Sequence, residues 1–295
     1  MGGGSWTSRS FADYTTTTKG MAVADFMDTS FSAQELYKAR RLSAALDPKN
    51  VMRECRDSEE HPNTLPVILA LDVTGSMGGS AVKVAQKLND IMTELYNDPN
   101  VQDIEFCIMG IGDLYCDDAP IQISQFESDI RIADQLDKIY FEGCGGGNGW
   151  ESYTAAWYFG IHNCKLDCWN RGEKGLIITM GDEPCNPYLP CRTLNATLGS
   201  TEQRDVESKK LVQEASAKYD LYHICVTSTS TGRCYGDRLK KSYAKYIPED
   251  HIVEASENEV KAAVMNIIEK KYGASATAQT TQNMSSFNEN GELVW

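Results

Sequence analysis

Short apolar runs, separated by stretches with helical periodicity, constrain this chain more than any other feature. The runs fall at residues 67–71, 103–111, 175–180, 221–227 and 252–253, with 121–123 as a further candidate edge strand. Continuous apolar character, without in–out alternation, predicts strands covered on both faces. Helical patterns intervene at 81–96, 129–140, 152–163, 202–219, 238–245 and 257–271. In the first of these, Val82, Ala85, Leu88, Ile91, Met92 and Leu95 keep the 3.6-residue period. Strands alternating with helices predict an α/β fold, a doubly wound, mostly parallel sheet flanked by helices. A chain of 295 residues can build such a core without needing a disulfide or a metal in order to fold.

The flanks read differently. Residues 1–64 are expected to form an N-terminal arm with one short helix, 65–272 the α/β domain, and 273–295 a polar tail. Residues 1–31 are rich in Gly, Ser and Thr and predict an irregular segment. The helix is expected at 32–46, where Ser32 can cap it, Glu35 completes a capping box and Pro48 follows its end. The tail, rich in Ala, Ser, Thr, Gln and Asn, cannot bury enough apolar surface to order itself. Its closing Leu293-Val294-Trp295 suits docking on a surface. No internal repeat is evident.

Composition narrows the function. Lys and Arg number 28 against 42 Asp and Glu, a formal charge of −14, and no basic cluster offsets it. Such a chain repels phosphate backbones, so no nucleic-acid partner is expected. Apolar runs such as Val67-Ile68-Leu69-Ala70-Leu71 fall far short of the ~20 residues that span a bilayer, so no membrane partner is expected either. Met1-Gly2-Gly3-Gly4-Ser5-Trp6 has no basic region leading into an apolar one, as a secretory signal would. It begins like a myristoylation site, but Trp6 stands where that pattern wants Ser or Thr. The expectation is a soluble cytoplasmic protein, virion association being compatible with it. The ten cysteines then read as free thiols. Cys107 and Cys225 lie in apolar runs and behave as small hydrophobes. Cys164-x3-Cys168 and Cys185-x5-Cys191 offer four thiolates for zinc but lack the tight knuckle spacing. The sequons at Asn195 and Asn283 carry little weight without secretion.

Three motifs carry chemistry. Leu69-Ala70-Leu71-Asp72-Val73-Thr74-Gly75-Ser76-Met77-Gly78 ends a strand in Asp-x-Thr-x-Ser, turns on glycine and enters a helix. Alternate residues of an extended segment point the same way, so Asp72, Thr74 and Ser76 present one carboxylate and two hydroxyls together. Hard oxygen donors of this kind suit Mg²⁺ or Mn²⁺, not zinc. Leu176-Ile177-Ile178-Thr179-Met180-Gly181-Asp182-Glu183-Pro184 again ends an apolar run in a carboxylate on a turn. Between them, Glu142-Gly143-Cys144-Gly145-Gly146-Gly147-Asn148-Gly149-Trp150-Glu151-Ser152 is a glycine-rich loop entering a helix. It lacks the Lys-Ser/Thr ending of a P-loop.

In this order, the three motifs resemble a von Willebrand factor type A domain, over roughly residues 65–272. The look is closest to intracellular bacterial and bacteriophage members. The family's metal-ion-dependent adhesion site uses Asp-x-Ser/Thr-x-Ser after the first strand, matched by Asp72, Thr74 and Ser76. It adds an Asp after the fourth strand, matched by Asp182, although the family more often reads Thr-Asp-Gly there. Its third part is a Thr from the glycine-rich loop. Here that place falls to Glu151 by counting back from the helix, or to Asn148 by position. The resemblance implies an Mg or Mn cofactor, and a protein partner whose Asp or Glu side chain fills the metal's open coordination place. No step of that binding breaks a bond, so no enzyme is implied.

Blander readings stand beside these. Asp72 to Ser76 can be a helix cap, and Asp182 a turn residue before Pro184. Asp113, Asp117 and Asp118 read as a solvated turn rather than a second cation site. His223, in a strand-like run, reads as a core histidine; Tyr153 and Trp157 as packing residues; Trp150 as a flank of a binding face. Residues 184–200 are expected to form a long loop beside Asp182 that lines the partner surface. Two other functions compete. A structural subunit of a larger, phage-like assembly suits the arm and tail. A haloacid-dehalogenase-like phosphotransferase also places an Asp after its first strand, but wants an acid where Thr74 stands.

Overall fold

The computed structural model describes residues 7–26, 37, 39–95, 103–142 and 149–273. Its strands are β1 (Arg53–Cys55), β2 (Leu65–Asp72), β3 (Ile104–Ile111), β4 (Ile121–Ile123), β5 (Cys164–Leu166), β6 (Gly175–Gly181), β7 (Tyr188–Leu189), β8 (Val206–Glu207), β9 (Tyr219–Val226) and β10 (Ile252–Ala255). Six of them form one sheet in the order β10-β9-β6-β2-β3-β4. All pair in parallel except β4, which runs antiparallel at the edge. This is the doubly wound α/β architecture expected from the sequence.

The pleat explains why both faces had to be apolar. Val67, Leu69 and Leu71 of β2 point into one core, and Ile68 and Ala70 into the other. Ile104, Phe106 and Ile108 of β3 join the first core; Cys107, Met109 and Ile111 join the second. Helices Gly79–Leu95, Arg131–Asp137 and Val260–Ile268 cover the first face. Thr154–His162, Cys191–Leu198, Ser208–Lys218 and Asp237–Tyr243 cover the second. From β2 the chain moves to β3 on one side and later to β6 on the other, so strand order reverses between β2 and β6. Ligands of open α/β sheets bind at the carboxyl ends of strands at such a reversal.

The N-terminal region departs from expectation. Instead of an irregular segment, Ser8–Tyr14 is a helix, started by a capping box between Thr7 and Ser10. Phe11, Phe26, Tyr37 and Leu46 are buried in the core that carries helix Gly79–Leu95. Residues 39–46 are not helical, while 27–36 and 38 lie outside the described residues. Here the carbonyl of Leu46 accepts from Ile123 N–H at 2.9 Å, and Arg53 Nη2 donates to Ala45 and Ile123 carbonyls. The free edge of β4 thus finds a backbone partner in the Leu46 carbonyl. Residues 184–200 are not a plain loop either: β7 pairs with β8, and Cys191–Leu198 is helical. Helix Ser208–Lys218 accordingly starts later than 202. Among the described residues no helix is long and apolar enough to cross a membrane.

One ion pair holds the N-terminal segment down. Lys19 Nζ lies 2.7 Å from Asp137 Oδ1, with side-chain exposures of 7% and 16%, and the Tyr14 hydroxyl donates to Asp137 Oδ2 at 2.5 Å. Lys19 also sits 4.8 Å from the ring centres of Phe26 and Tyr37. Removing one partner of a buried pair leaves the other charge uncompensated, at a cost of about 3 kcal/mol or more. Asp137→Ala is therefore expected to lower the melting temperature by roughly 6–12 °C, measured by thermal unfolding. A change near zero would mean that the segment is not anchored there.

Candidate metal centre

Two strands end side by side in carboxylates. Asp72 is the last residue of β2, and Asp182 directly follows β6. Leu71 and Met180 are in register across the pair, which sets the two acids at one edge. After Asp72 the backbone continues extended for one residue, Val73 N–H donating to the Ile111 carbonyl at 2.9 Å. It then turns over Gly75-Ser76-Met77-Gly78 into helix Gly79–Leu95, with Gly78 at φ 48°. That left-handed value favours glycine, so the turn depends on it.

The side chains form one hydrogen-bonded chain. Asp72 Oδ1 accepts from Thr74 N–H at 2.9 Å and from the Thr74 hydroxyl at 2.6 Å. Thr74 Oγ1 lies 3.1 Å from Ser76 Oγ, and the Ser76 hydroxyl donates to Asp182 Oδ1 at 2.8 Å. Asp72 Oδ2 accepts from the Tyr153 hydroxyl at 2.5 Å. Asp72, Thr74 and Asp182 are buried, and Ser76 is partly exposed. Asp182 Oδ2 is buried without a hydrogen-bond partner, as are Glu151 Oε2 and Glu183 Oε2.

Burial sets the charges at odds. It pushes the Asp72 carboxyl up to about 7, with the Asp182 charge adding to the rise and bonds from Thr74 and Tyr153 opposing it. Burial also raises Asp182, against the pull of the Thr229 and Ser76 hydroxyls. Glu151 is raised further, first by burial and then by Asp72, Asp113, Asp117 and Glu183. A hard divalent cation would answer this. Two carboxylates and two hydroxyls supply oxygen donors, one carboxylate oxygen is unclaimed, and Mg²⁺ readily keeps waters in its remaining places. The residues present fit such an ion.

The predicted residues divide into three groups. Asp72, Thr74, Ser76 and Asp182 come together. Glu151, 3% exposed, stands in the electrostatic field of Asp72 and pairs by backbone with Cys185, but makes no hydrogen bond to the other four. Among the described residues, no three Asp, Glu, His or Cys side chains converge as a chelating group. Asn148 lies outside the described residues. Asp113 and Asp117 accept from the N–H groups of Tyr115 and Asp113 at 3.0 and 2.7 Å, but the turn is not the solvated one expected, since Asp113 is buried and burial raises the Asp117 carboxyl. The nine described cysteines are free, and Cys144 lies outside the described residues. His223 is buried and held neutral by burial, its Nδ1 2.8 Å from Thr179 Oγ1.

Sequence reasoning missed Tyr153. Helical spacing marks it as packing, and it is fully buried, but its hydroxyl belongs to the site. A tyrosine where a phenylalanine would pack as well was the available signal.

No protein-family model matches the chain, and no curated protein matches it. Among solved structures, the pilus adhesin SpaC from Lactobacillus rhamnosus GG, in its open conformation, aligns with a TM-score of 0.51 at 12% identity. The match covers 76% of this chain and 31% of the adhesin, so the chain spans under a third of that protein's length. The proximal thread matrix protein 1 of the mussel byssus aligns at 0.45, with 12% identity over 73% of this chain and 48% of that one. The vWF domain of the type V pili tip protein Mfa5 from Porphyromonas gingivalis aligns at 0.44, with 10% identity over 70% of this chain and 95% of that domain. At these identities the likeness is one of fold.

The raised carboxyls give a signed expectation. A carboxyl whose folded-state value is raised contributes stability fully below its unfolded value of 3.8 and loses it as pH climbs through about 7. Metal-free protein should therefore lose stability, on the order of 2–4 kcal/mol, between pH 5 and pH 8. Asp72→Asn, uncharged throughout, should reduce that slope in denaturant titrations at the two pH values, Glu127 and Asp117, which burial also raises, supplying the rest. An unchanged slope would contradict the assignment.

Proposed function

We propose that this chain is a von Willebrand factor A-type protein-binding module whose Asp72, Thr74, Ser76 and Asp182 hold Mg²⁺ or Mn²⁺. The observation that carries this is the continuous oxygen chain across β2 and β6, with a buried Asp182 oxygen left over, at the reversal of strand order. When bound, the metal supplies a coordination place for an Asp or Glu of a protein partner. The chain's own residues hold the cation and shape the approach to it. Binding by this route needs no nucleophile or general base, so the proposal is of a non-enzymatic module. Asn148 and Glu151 are the candidates for a further oxygen from the glycine-rich loop.

The approach is lined in part by residues 184–200, as their expected place beside Asp182 suggests. Tyr188 of this stretch bonds hydroxyl to hydroxyl with exposed Tyr115 at 2.7 Å, at the same end of the sheet as the site. The fold shared with a pilus adhesin supports a binding role of this general kind.

Thermal unfolding with Mg²⁺, Mn²⁺, Ca²⁺ or chelator tests the reading. A ligand at 100 times its Kd stabilises by about 2.7 kcal/mol, a rise of roughly 5–10 °C for a domain of this size. The rise is expected in the native chain and not in Asp72→Ala. Equal curves with metal and with chelator would leave the fold without its metal and favour a purely structural role in a larger assembly.

A further inference from the structure

The two oxygens of Asp72 are engaged differently. Oδ1 faces Thr74 within the motif, whereas Oδ2 is taken by a hydroxyl that arrives from 81 residues away. That hydroxyl is firmly placed. Tyr153 is 0% exposed; its ring meets His223 edge-on at 5.3 Å and lies 6.1 Å from Tyr243. Tyr243 in turn stacks on His223 at 3.5 Å. While donating to Asp72, the Tyr153 oxygen also accepts from Glu183 N–H at 3.3 Å.

Its seat exists because residue 181 has no side chain. A Cβ on Gly181 would stand 2.0 Å from the Tyr153 oxygen and 2.5 Å from two of its ring carbons. Real Cβ contacts never come so close, so the glycine before Asp182 and the tyrosine that reaches Asp72 are one device.

The consequence concerns which cation fits. Mg²⁺ demands near-octahedral geometry at about 2.1 Å, whereas Ca²⁺ takes six to eight oxygens and readily accepts both oxygens of one carboxylate. Resting on the metal-site reading above, we infer that Tyr153, seated on Gly181, is a specificity-determining positioning residue. It ties back one oxygen of Asp72, so that this carboxylate offers a single oxygen to the cation and the site favours Mg²⁺ or Mn²⁺ over Ca²⁺.

Calorimetric titration of Mg²⁺, Mn²⁺ and Ca²⁺ into the full chain, into Tyr153→Phe and into Gly181→Ala tests this. The phenylalanine keeps the ring and its packing while releasing Oδ2. Loss of such an outer partner typically weakens metal binding 10–100-fold. Mg²⁺ affinity is expected to fall in that range in Tyr153→Phe while Ca²⁺ affinity falls less or rises, moving the ratio toward Ca²⁺ by about tenfold. Gly181→Ala, which dislodges the hydroxyl without removing it, should move the ratio the same way, and it carries the test should Tyr153→Phe fail to give a native circular dichroism spectrum. Equal weakening for all three cations, or an unchanged ratio in the folded variants, overturns the inference while leaving the metal site standing. A native chain that binds none of the cations overturns both.

Discussion

Asp72 and Asp182 place two like charges in a region that excludes water, and the arrangement around them is organised by that fact. Each carboxylate ends a strand of a sheet covered on both faces, so neither can turn out to solvent without unpacking its strand. Burying a carboxylate is costly unless it is paired or hydrogen-bonded. The chain answers in part with the N–H and hydroxyl of Thr74, the hydroxyl of Ser76 and the hydroxyl of Tyr153. These donors share the charge but do not cancel it, and one oxygen of Asp182 remains without any. A divalent cation is the simplest species that would complete the set.

The layer beneath the carboxylates is built to stay still. Tyr153, His223 and Tyr243 form a buried aromatic group whose polar atoms reach the site, Thr179 and the Glu183 carbonyl. His223 is kept neutral by its burial, so it adds no charge to an already crowded electrostatic environment. Gly181 lets this layer approach the strand end closely. On the opposite face, the N-terminal segment and its Lys19–Asp137 pair close the first core over helix Gly79–Leu95. The sheet that presents the acids is therefore braced from both sides.

Much of this was legible in the residues. Strands such as 67–71 announced themselves because a doubly covered strand must be apolar at every position. Asp72, Thr74 and Ser76 were legible as a motif closing an apolar run, but only Asp72 lies in the strand: Ser76 sits in the following turn, so the turn rather than strand alternation brings the hydroxyls to the carboxylate. Asp182 followed from an apolar run ending in an acid. Other features were hidden for physical reasons. β1 and β5 are three residues each, too short for a period, and their pairing joins Arg53 to Cys164 across a large part of the chain. Helix Ser8–Tyr14 sits in a Gly-, Ser- and Thr-rich stretch, where a single buried Phe11 gives little pattern. The Tyr153–Asp72 bond is a tertiary contact between residues that no local rule connects. Glu151 was read by counting toward a helix, yet its place depends on the backbone pairing with Cys185.

In the proposed site the oxygens of Asp72 and Asp182 act together on one cation. Electron paramagnetic resonance of Mn²⁺, titrated into the full chain and into Asp182→Asn, addresses it directly, because bound and free ions give different signals. One Mn²⁺ per native chain, displaced by Mg²⁺, and a marked loss of binding in the variant are expected. Binding of the same stoichiometry and affinity in Asp182→Asn would contradict it, as would no bound ion in the native chain.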